Sequence, residues 1–256
     1  MLQQERHQQI LSRLHLNGQV IVRELSQDFN VTEDCIRKDL NILEKAGKLK
    51  RIHGGAVLLR QNLHAIYVND RKDVRHEEKK LIARHAFKLI QQGITIFLDI
   101  STVSLEIAKL IYEKNMNVII VTNMIDIMQL FSQNSSVQLI FIGGIFNRAR
   151  DGFIGSYTIE QIQQFKFDLS FIGVVGIDAY EGKVSTYDMN DGLTKKAIIQ
   201  SSKKAYMVAE SAKFDLDGNY IFADLSDFSG YICEKKLSLQ LNKKLKRYGL
   251  DLLDEQ

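Results

Sequence analysis

The sequence has few of the residues on which disulfide bonding, zinc binding and histidine-based catalysis depend. Its 256 residues include only two cysteines, Cys35 and Cys233, too few for a disulfide framework or a paired-cysteine zinc site and in agreement with a reducing compartment. Six histidines stand at positions 7, 15, 53, 64, 76 and 85, and the last 171 residues contain none. A Ser-His-Asp triad, a Cys-His pair or a histidine-bound metal confined to that larger part is therefore excluded.

Long apolar runs are also missing. Runs such as Val118–Val121 and Leu139–Ile142 lie far below the roughly 20 residues that a membrane-spanning helix needs. The first ten residues, MLQQERHQQI, are too polar for a signal peptide. We therefore expect a cytoplasmic protein with no membrane partner, no metal and no cofactor. With 45% hydrophobic residues, the chain can bury a sizeable core in one or two domains.

The small excess of positive charge is confined to one end of the chain. The first 60 residues hold 10 Lys and Arg against 7 Asp and Glu, and the remaining 196 hold 24 of each. Such a local density suits a nucleic-acid phosphate backbone, and on charge alone a solvated helix face explains it equally well. The basic residues of the densest segment, 37–51, are Arg37, Lys38, Lys45, Lys48, Lys50 and Arg51.

The same region contains three short amphipathic patterns. Thr32 is the predicted N-cap of the third helix, and Gly47 closes it. Three helices with a tight turn before a basic helix predict a helix-turn-helix, whose last helix lies in the major groove. On that helix Arg37, Lys38 and Asn41 should point away from the core. The apolar stripes consist of Ile10, Leu11 and Leu14, of Val20, Val22, Leu25 and Phe29, and of Ile36, Leu40 and Leu43.

A β-hairpin is predicted after Gly47. Residues 48–52 and 56–59 read as two short strands around His53-Gly54-Gly55. As a wing, this hairpin would let Lys50, Arg51 and His53 reach phosphates or an adjacent minor groove. The alternative is a plain hairpin that only covers the three helices.

The region resembles the winged-helix signature of the DeoR-type bacterial transcription regulators. The resemblance covers Val31–Leu40, Leu43-Glu44, Gly47 and Arg51–Ala56. Arg37 and Lys38 match the two basic recognition-helix positions of that family, whereas Cys35 stands where a threonine is usual. The resulting candidates for contact with double-stranded operator DNA are Thr32, Arg37, Lys38, Asn41, Lys50, Arg51, His53, Gly54 and Gly55.

The remaining sequence predicts an α/β domain. Residues 60–75 are polar and weakly periodic, which is typical of a connection. The alternation that follows predicts a mainly parallel sheet with helices on both faces. The predicted helices are Glu77–Ile90, Thr102–Tyr112, Met124–Phe131, 156–165, Asp191–Ser202 and one ending at Lys246; the predicted strands are Ile94–Leu98, Val118–Val121, Val137–Ile142, Leu169–Val174, Ala205–Val208, one near Tyr220, and Tyr231–Cys233.

Several predicted strands end in groups suited to an anion. Ligands of such sheets bind beyond the carboxyl ends of the strands. Singly, each group has a commoner explanation as a helix cap, a turn or a solvated lysine, but all fall at the same edge of one predicted sheet. The groups are Leu98–Ser104, Val121-Thr122-Asn123, Ile142-Gly143-Gly144 with Arg148 and Arg150, Ile172–Asp178, Lys195 and Lys213.

Six stretches of this part match one known pattern: Leu98–Glu106, Val121–Asn123, Gly143-Gly144 with Gly155, Phe171–Asp178, Asp188–Lys196 and Ser211–Phe214. Through them it resembles the sensor domain of the same DeoR-type family across about residues 75–233. The resemblance implies a Rossmann-like fold related to ribose-5-phosphate isomerase and coenzyme-A transferases, responding to a phosphorylated sugar. Ser101-Thr102-Val103 stands where the family has Gly-Thr-Thr, and Asp191 where glutamate is usual. The candidate effector-binding residues are Asp99, Ser101, Thr102, Ser104, Thr122, Asn123, Arg148, Asp178, Asp191, Lys195 and Lys213.

Together these observations favour a repressor of a carbohydrate-utilisation operon over an enzyme. We assign residues 1–58 to DNA binding, 59–74 to a linker and 75–256 to effector sensing and homo-oligomerisation, as a dimer or tetramer. One alternative is a sugar-phosphate isomerase or transferase with an accessory DNA-binding domain; another is a scaffold that binds a phosphosugar without DNA. A related isomerase is expected to carry a carboxylate where this chain has Thr194, leaving Asp99, Asp178 and Asp191 as possible bases.

Overall fold

A computed structural model describes residues 2–17, 19–58, 61–62, 74–132, 136–148 and 151–253. Most of the predicted linker 59–74, together with Arg150, lies outside the described residues. The fold class expected from the sequence is confirmed, since a small helical and β unit precedes an α/β unit with a parallel sheet.

The N-terminal unit contains the three predicted helices and the predicted hairpin. Their apolar stripes meet in one core in which Ile10, Leu14, Ile36 and Leu40 are fully buried. The elements are α1 (Gln3–Asn17), β1 (Gln19–Ile21), α2 (Val22–Phe29), α3 (Glu33–Lys45), β2 (Leu49–Ile52) and β3 (Gly55–Leu58).

One strand of this unit departs from the prediction. Val20, expected on the second helical stripe, lies instead on β1, which pairs antiparallel with β3 and makes the hairpin a three-stranded sheet in the order β1-β3-β2. Val20 is buried while Ile21 is 43% exposed, the alternation of a strand rather than of a helix. Two β-branched residues in a row favour this extended conformation.

The α/β unit follows the predicted alternation. Its helices are α4 (His76–Phe87), α5 (Thr102–Glu113), α6 (Ile125–Phe131), α7 (Ser156–Ile162), α8 (Met189–Gln200) and α9 (Leu239–Arg247). Its strands are β5 (Thr95–Leu98), β6 (Ile119–Thr122), β7 (Gln138–Phe141), β8 (Ile145–Asn147), β9 (Gly152–Ile154), β10 (Phe167–Ile172), β11 (Gly176–Asp178), β12 (Lys183–Thr186), β13 (Ser202–Val208), β14 (Leu216–Asp217), β15 (Tyr220–Asp224), β16 (Gly230–Ile232) and β17 (Asp251–Leu253); β4 (Gln61–Asn62) precedes them.

Seven of these strands form one parallel sheet in the order β17-β16-β13-β10-β5-β6-β7. Successive residues of β5 face opposite sides: Phe97 packs with α7, α8 and α9, whereas Ile96 and Leu98 pack with α4, α5 and α6. Both faces of the sheet are therefore covered, which explains why its central strands β5 and β6 are mostly apolar.

Of the short strands beside this sheet, the sequence predicted the one near Tyr220, which is β15, but not β8, β9, β11 or β12. Strands β8 and β9 form a hairpin, and β11, β12 and β15 form a small antiparallel sheet. Most of them are three or four residues long, too short for a two-residue alternation to stand out from loop sequence.

The N-terminal unit and the α/β unit also touch each other. Ser12 Oγ lies 3.3 Å from Ser238 Oγ, and β4, just after the wing, pairs in parallel with β14. Across the described ranges, no helix has the length and apolar character needed to cross a membrane.

Candidate functional site

Helix α3 presents the predicted polar face to solvent. Thr32 caps the helix by accepting a hydrogen bond from the Cys35 backbone N–H at 3.2 Å, as predicted. Arg37, Lys38 and Asn41 are exposed, on the side opposite the buried apolar stripe. The helix therefore displays two cations and an amide where a major groove would meet them.

Arg37 is already ion-paired within its own helix. Its guanidinium donates to Glu33 at 2.6 Å and to Asp34 at 2.8 Å. All three side chains are well exposed, so each pair contributes only about 0.2–1 kcal/mol. A DNA base or phosphate can replace these carboxylates at small cost, and until then they hold the guanidinium over the exposed face.

The wing has exposed cations and two glycines with different roles. Lys50, Arg51 and His53 are exposed. Gly54 has a φ of +77° in the turn and open space around it, whereas a Cβ on Gly55 would lie 2.1 Å from the Val20 carbonyl oxygen. Gly54 is thus available to a ligand, while Gly55 is buried and lets β1 pack against the wing.

A buried ion pair in this unit was missed from the sequence. Asp39, on α3, is 1% exposed and accepts hydrogen bonds from Arg6 at 2.5 and 3.1 Å, with His7 Nε2 at 2.9 Å and Gln3 at 3.4 Å. Burial alone would raise the pKa of the Asp39 carboxyl, but the hydrogen bonds from Arg6, His7 and Gln3 outweigh it and lower the pKa. The Arg6–Asp39 ion pair therefore links α1 to α3.

A cavity of about 280 Å³ lies beyond the carboxyl ends of three adjacent strands, β5, β10 and β13. Four of the predicted effector-binding residues line it: Ser101, Thr102, Lys195 and Lys213. The remaining lining residues are Gly47, Lys48, Val74, Arg75, Lys79, Ile100, Val103, Gly173, Val174, Val175, Tyr187, Val208, Glu210, Ala212, Asp215 and Leu216.

The start of α5 forms one wall of this cavity. Ser101 is the N-cap, and its hydroxyl accepts from the Ser104 backbone N–H at 3.1 Å. The N–H groups of Thr102 and Val103 belong to the first helical turn and have no intrahelical acceptor. Both residues line the cavity, so a helix N-terminus faces the place where an anion would bind.

Asp99 organises the site from behind the cavity wall. It is 1% exposed, and its two oxygens accept from Ser101 N–H at 3.1 Å, Ser104 Oγ at 2.8 Å, Gly173 N–H at 2.9 Å and Lys195 Nζ at 2.5 Å. Four donors satisfy the carboxylate. Asp99 and Ser104 therefore position the loops after β5 and β10 rather than face a ligand.

Lys195 is held by a second carboxylate as well. Asp191, one turn earlier on α8, has its Oδ1 3.6 Å from Lys195 Nζ, while its Oδ2 accepts from Thr186 Oγ1 at 2.5 Å. Lys195 is 3% exposed and Asp191 1%. The lysine predicted to meet a phosphate thus reaches the cavity with its charge matched inside the protein.

Besides Asp99, Ser104 and Asp191, four more predicted effector residues lie outside the cavity lining. Thr122 Oγ1 donates to the Leu98 carbonyl at 2.7 Å, and the Asn123 side-chain amide donates to the Phe153 carbonyl at 2.6 Å. Asp178 accepts from two backbone N–H groups of its own turn, and Arg148 is exposed. For Thr122 and Asn123 the strand order explains the separation, because β6 lies on the far side of β5 from β10 and β13.

Sequence reasoning also missed residues that line the cavity. Lys79 is 4% exposed, and together with Arg75 it comes from the start of α4, which no motif marked. Glu210 and Asp215 add carboxylates that can accept hydrogen bonds from ligand hydroxyls. No cluster of metal ligands occurs among the residues that the structure describes.

Comparison with known proteins identifies both units. A family model described as the DeoR-like helix-turn-helix domain matches residues 6–62, and one described as the DeoR C terminal sensor domain matches residues 74–235. The glycerol-3-phosphate regulon repressor of Haemophilus influenzae is 34% identical over 252 residues, covering 96% of each chain. The putative aga operon transcriptional repressor of Escherichia coli O157:H7 is 29% identical over 251 residues, covering 97% of this chain and 93% of that protein.

Solved structures similar to this chain include two kinds of protein. Ribose 5-phosphate isomerase A from Methanocaldococcus jannaschii aligns with 54% of each chain at 17% identity and a TM-score of 0.38. The delta subunit of eIF2B from Chaetomium thermophilum aligns with 81% of this chain and 66% of that chain at 12% identity and a TM-score of 0.46.

Proposed function

Because the chain belongs to the DeoR family of transcription regulators, we propose that it represses a carbohydrate-utilisation operon and that a phosphorylated sugar, bound in the cavity, controls its hold on the operator. The observation that supports effector sensing is the cavity itself, where a helix N-terminus and lysines face a space of about 280 Å³. Relatives named as repressors of the glycerol-3-phosphate regulon and the aga operon support the repressing half.

For DNA binding, α3 enters the major groove and the wing follows the backbone. Arg37 and Lys38 are the candidates for base and phosphate contacts, and Lys50 and Arg51 for phosphates. A single winged helix makes too few contacts to select one site in a genome, so the chain acts as a homodimer or larger oligomer on a repeated operator. Residues 1–58 carry this activity and 75–256 carry sensing and assembly.

For effector binding, the phosphate lies against the N–H groups of Thr102 and Val103 with Lys213 beside it. Ser101 contributes its position at the helix start, and Glu210 accepts hydrogen bonds from the sugar hydroxyls. A ligand that binds more tightly to the conformation unsuited to the operator releases DNA, typically with a coupling of about 1–3 kcal/mol.

The cavity supports binding better than turnover. Thr194, which stands where a related isomerase is expected to carry a carboxylate, donates to the Asn190 carbonyl at 2.7 Å and accepts from the Gly155 N–H at 3.3 Å. Of the possible bases, Asp99 and Asp191 are occupied by lysine and hydroxyl donors and Asp178 lies outside the lining. None of the three carboxylates that the sequence offered as a base is therefore placed to take a proton from a bound sugar, which favours binding over isomerisation.

The proposed DNA binding is tested by titrating labelled DNA that contains the candidate operator with the full-length protein. The double variant Arg37→Ala/Lys38→Ala should weaken operator binding by about 1–3 kcal/mol for each base contact that is lost. The matched control, Lys243→Ala/Lys246→Ala, removes the same charge from exposed positions on α9. Equal operator affinity for the α3 variant and the wild type would contradict the assignment.

The sensing half is tested by calorimetry with a panel of sugar phosphates, run beside a turnover assay. Lys213→Ala should bind operator normally and lose the response to the effector, whereas Lys236→Ala, an exposed lysine outside the cavity, should respond as the wild type does. Isomer interconversion at an enzyme-like rate, or binding only of an unphosphorylated ligand, would overturn the proposal.

A further inference from the structure

The turn after the recognition helix carries a lysine with no assigned role. Lys48 follows Gly47, and its backbone N–H donates to the Leu43 carbonyl at 2.9 Å, so it is fixed to the C-terminal end of α3. Its side chain is exposed, and no ion pair joins it to another residue in the described part of the chain. From sequence, Lys48 reads as one more cation of a DNA-binding segment.

The structure instead places Lys48 at the effector cavity. Gly47 and Lys48 line it together with Thr102, Lys195 and Lys213 of the α/β unit. The DNA-binding unit thus forms part of the wall of the sensing site.

A second observation places the same cavity at the joint between the two units. Leu216, another lining residue, lies on β14, and β14 pairs with β4, the strand that follows the wing. Val74 and Arg75, where the described chain resumes before α4, line the cavity as well. The cavity therefore lies beside both ends of the connection between the two units.

The charges around the cavity indicate that Lys48 can supply positive charge to a bound anion. Within the α/β unit, four cations and four carboxylates line the cavity or contact its lining. Asp99 and Asp191 contact Lys195 directly, so these charges balance in number; the cations are Arg75, Lys79, Lys195 and Lys213, and the carboxylates are Asp99, Asp191, Glu210 and Asp215. A phosphate monoester carries a charge of about −1.5 to −2 at neutral pH. A cation from outside the α/β unit is suited to complete its neutralisation, and Lys48 is the cation that the DNA-binding unit supplies.

We infer that Lys48 is an effector-binding residue contributed by the DNA-binding unit, and that its contact with the anionic group of the ligand joins effector binding to the position of α3. This inference rests on the proposed function and deepens it. A ligand that binds Lys48 holds α3 against the α/β unit, which opposes the placement of two recognition helices on successive major grooves. By linkage, operator DNA and the ligand then weaken each other's binding by the same factor.

The experiment uses the full-length protein, with glycerol 3-phosphate, glucose 6-phosphate, fructose 1-phosphate and inorganic phosphate as probes in calorimetry. For the probe that binds the wild type, Lys48→Gln should weaken affinity by about three- to tenfold. Lys45→Gln, an exposed lysine on the last turn of α3 that does not line the cavity, should stay within about twofold of the wild type. Lys48→Arg should restore most of the affinity.

A second readout is the effect of the probe on operator affinity. In Lys48→Gln this factor, the ratio of operator affinities without and with the probe, should fall at least threefold relative to the wild type. Equal probe affinity in Lys48→Gln and the wild type, or equal losses in Lys48→Gln and Lys45→Gln, would overturn the inference and leave the proposed function standing. A wild type that binds none of the probes would overturn both.

Discussion

The buried lysine of the cavity gives the sharpest test of how the site is held together. Substituting Lys195→Met keeps most of the side-chain volume and removes the charge. It leaves Asp99 and Asp191, each 1% exposed, without the cation between them. We expect a large loss of stability, because a buried carboxylate without a partner keeps its desolvation cost and loses its compensation.

The distances set the size of the effect. At an effective dielectric constant of about 20, the Coulomb energy is about 7 kcal/mol for the 2.5 Å contact with Asp99 and about 5 kcal/mol for the 3.6 Å contact with Asp191. Desolvation, at several kcal/mol for each ion, offsets much of this attraction. The expected net cost of Lys195→Met is therefore about 3–5 kcal/mol.

The measurement is a double-mutant cycle with Asp99→Asn. Because the chain contains no tryptophan, urea unfolding is followed by far-UV circular dichroism. The double variant should be destabilised by less than the sum of the single variants, with a difference above about 1 kcal/mol.

A matched control pair comes from the other end of the sheet. Lys203 Nζ lies 2.6 Å from Asp168, with the lysine side chain 59% exposed. The cycle of Lys203→Met and Asp168→Asn should give a coupling of only about 0.2–1 kcal/mol. Couplings of the same small size in both cycles, or a loss below about 1 kcal/mol in Lys195→Met, would refute the reasoning from burial.

Two further predictions concern the DNA-binding unit. The pKa of the Asp39 carboxyl is lowered, so its pairing with Arg6 stabilises the fold above the ordinary carboxyl pKa of about 3.9. This stabilisation is lost as the pH falls through the folded-state pKa. Asp39→Asn should therefore unfold more easily at pH 7, and an acid titration followed by circular dichroism should show that the variant lacks this pH-dependent contribution. Gly55→Ala should destabilise the unit by about 1–3 kcal/mol, since its Cβ would lie 2.1 Å from the Val20 carbonyl oxygen. Gly54→Ala should cost about 1–2 kcal/mol, because the only strain there comes from its positive φ. A denaturant titration in which Gly54→Ala is the more destabilised of the two would contradict this ranking.

The features predicted correctly from the sequence are those that depend on neighbours along the chain. The spacing of Ile36, Leu40 and Leu43 fixes which side of α3 is buried, and Thr32 caps that helix through a residue three positions away. Strands β5 and β6 stand out because burial on both faces makes three of the four residues in each strand apolar. In each case one element and its immediate neighbours contain the signal.

The position of the cavity depends on the order of the strands, which local patterns do not specify. Residues after β6 and β7 were predicted at the same edge as those after β5, and in a parallel sheet that edge is shared. The cavity, however, lies over β13, β10 and β5. Thr122 and Asn123 therefore follow a strand on the wrong side of β5 and serve the loops around them.

The roles of the site residues depend on which charges are already matched, and that depends on contacts far apart in sequence. Lys195 and Asp99 are separated by 96 positions, so no motif predicts that the two neutralise each other. In the proposed function, a phosphate is then held chiefly by the N–H groups that begin α5 and by cations that other elements bring to the cavity. Lys48 is the cation that we infer to have this role, and because it follows α3, its contact with the ligand would also restrain the helix proposed to read DNA.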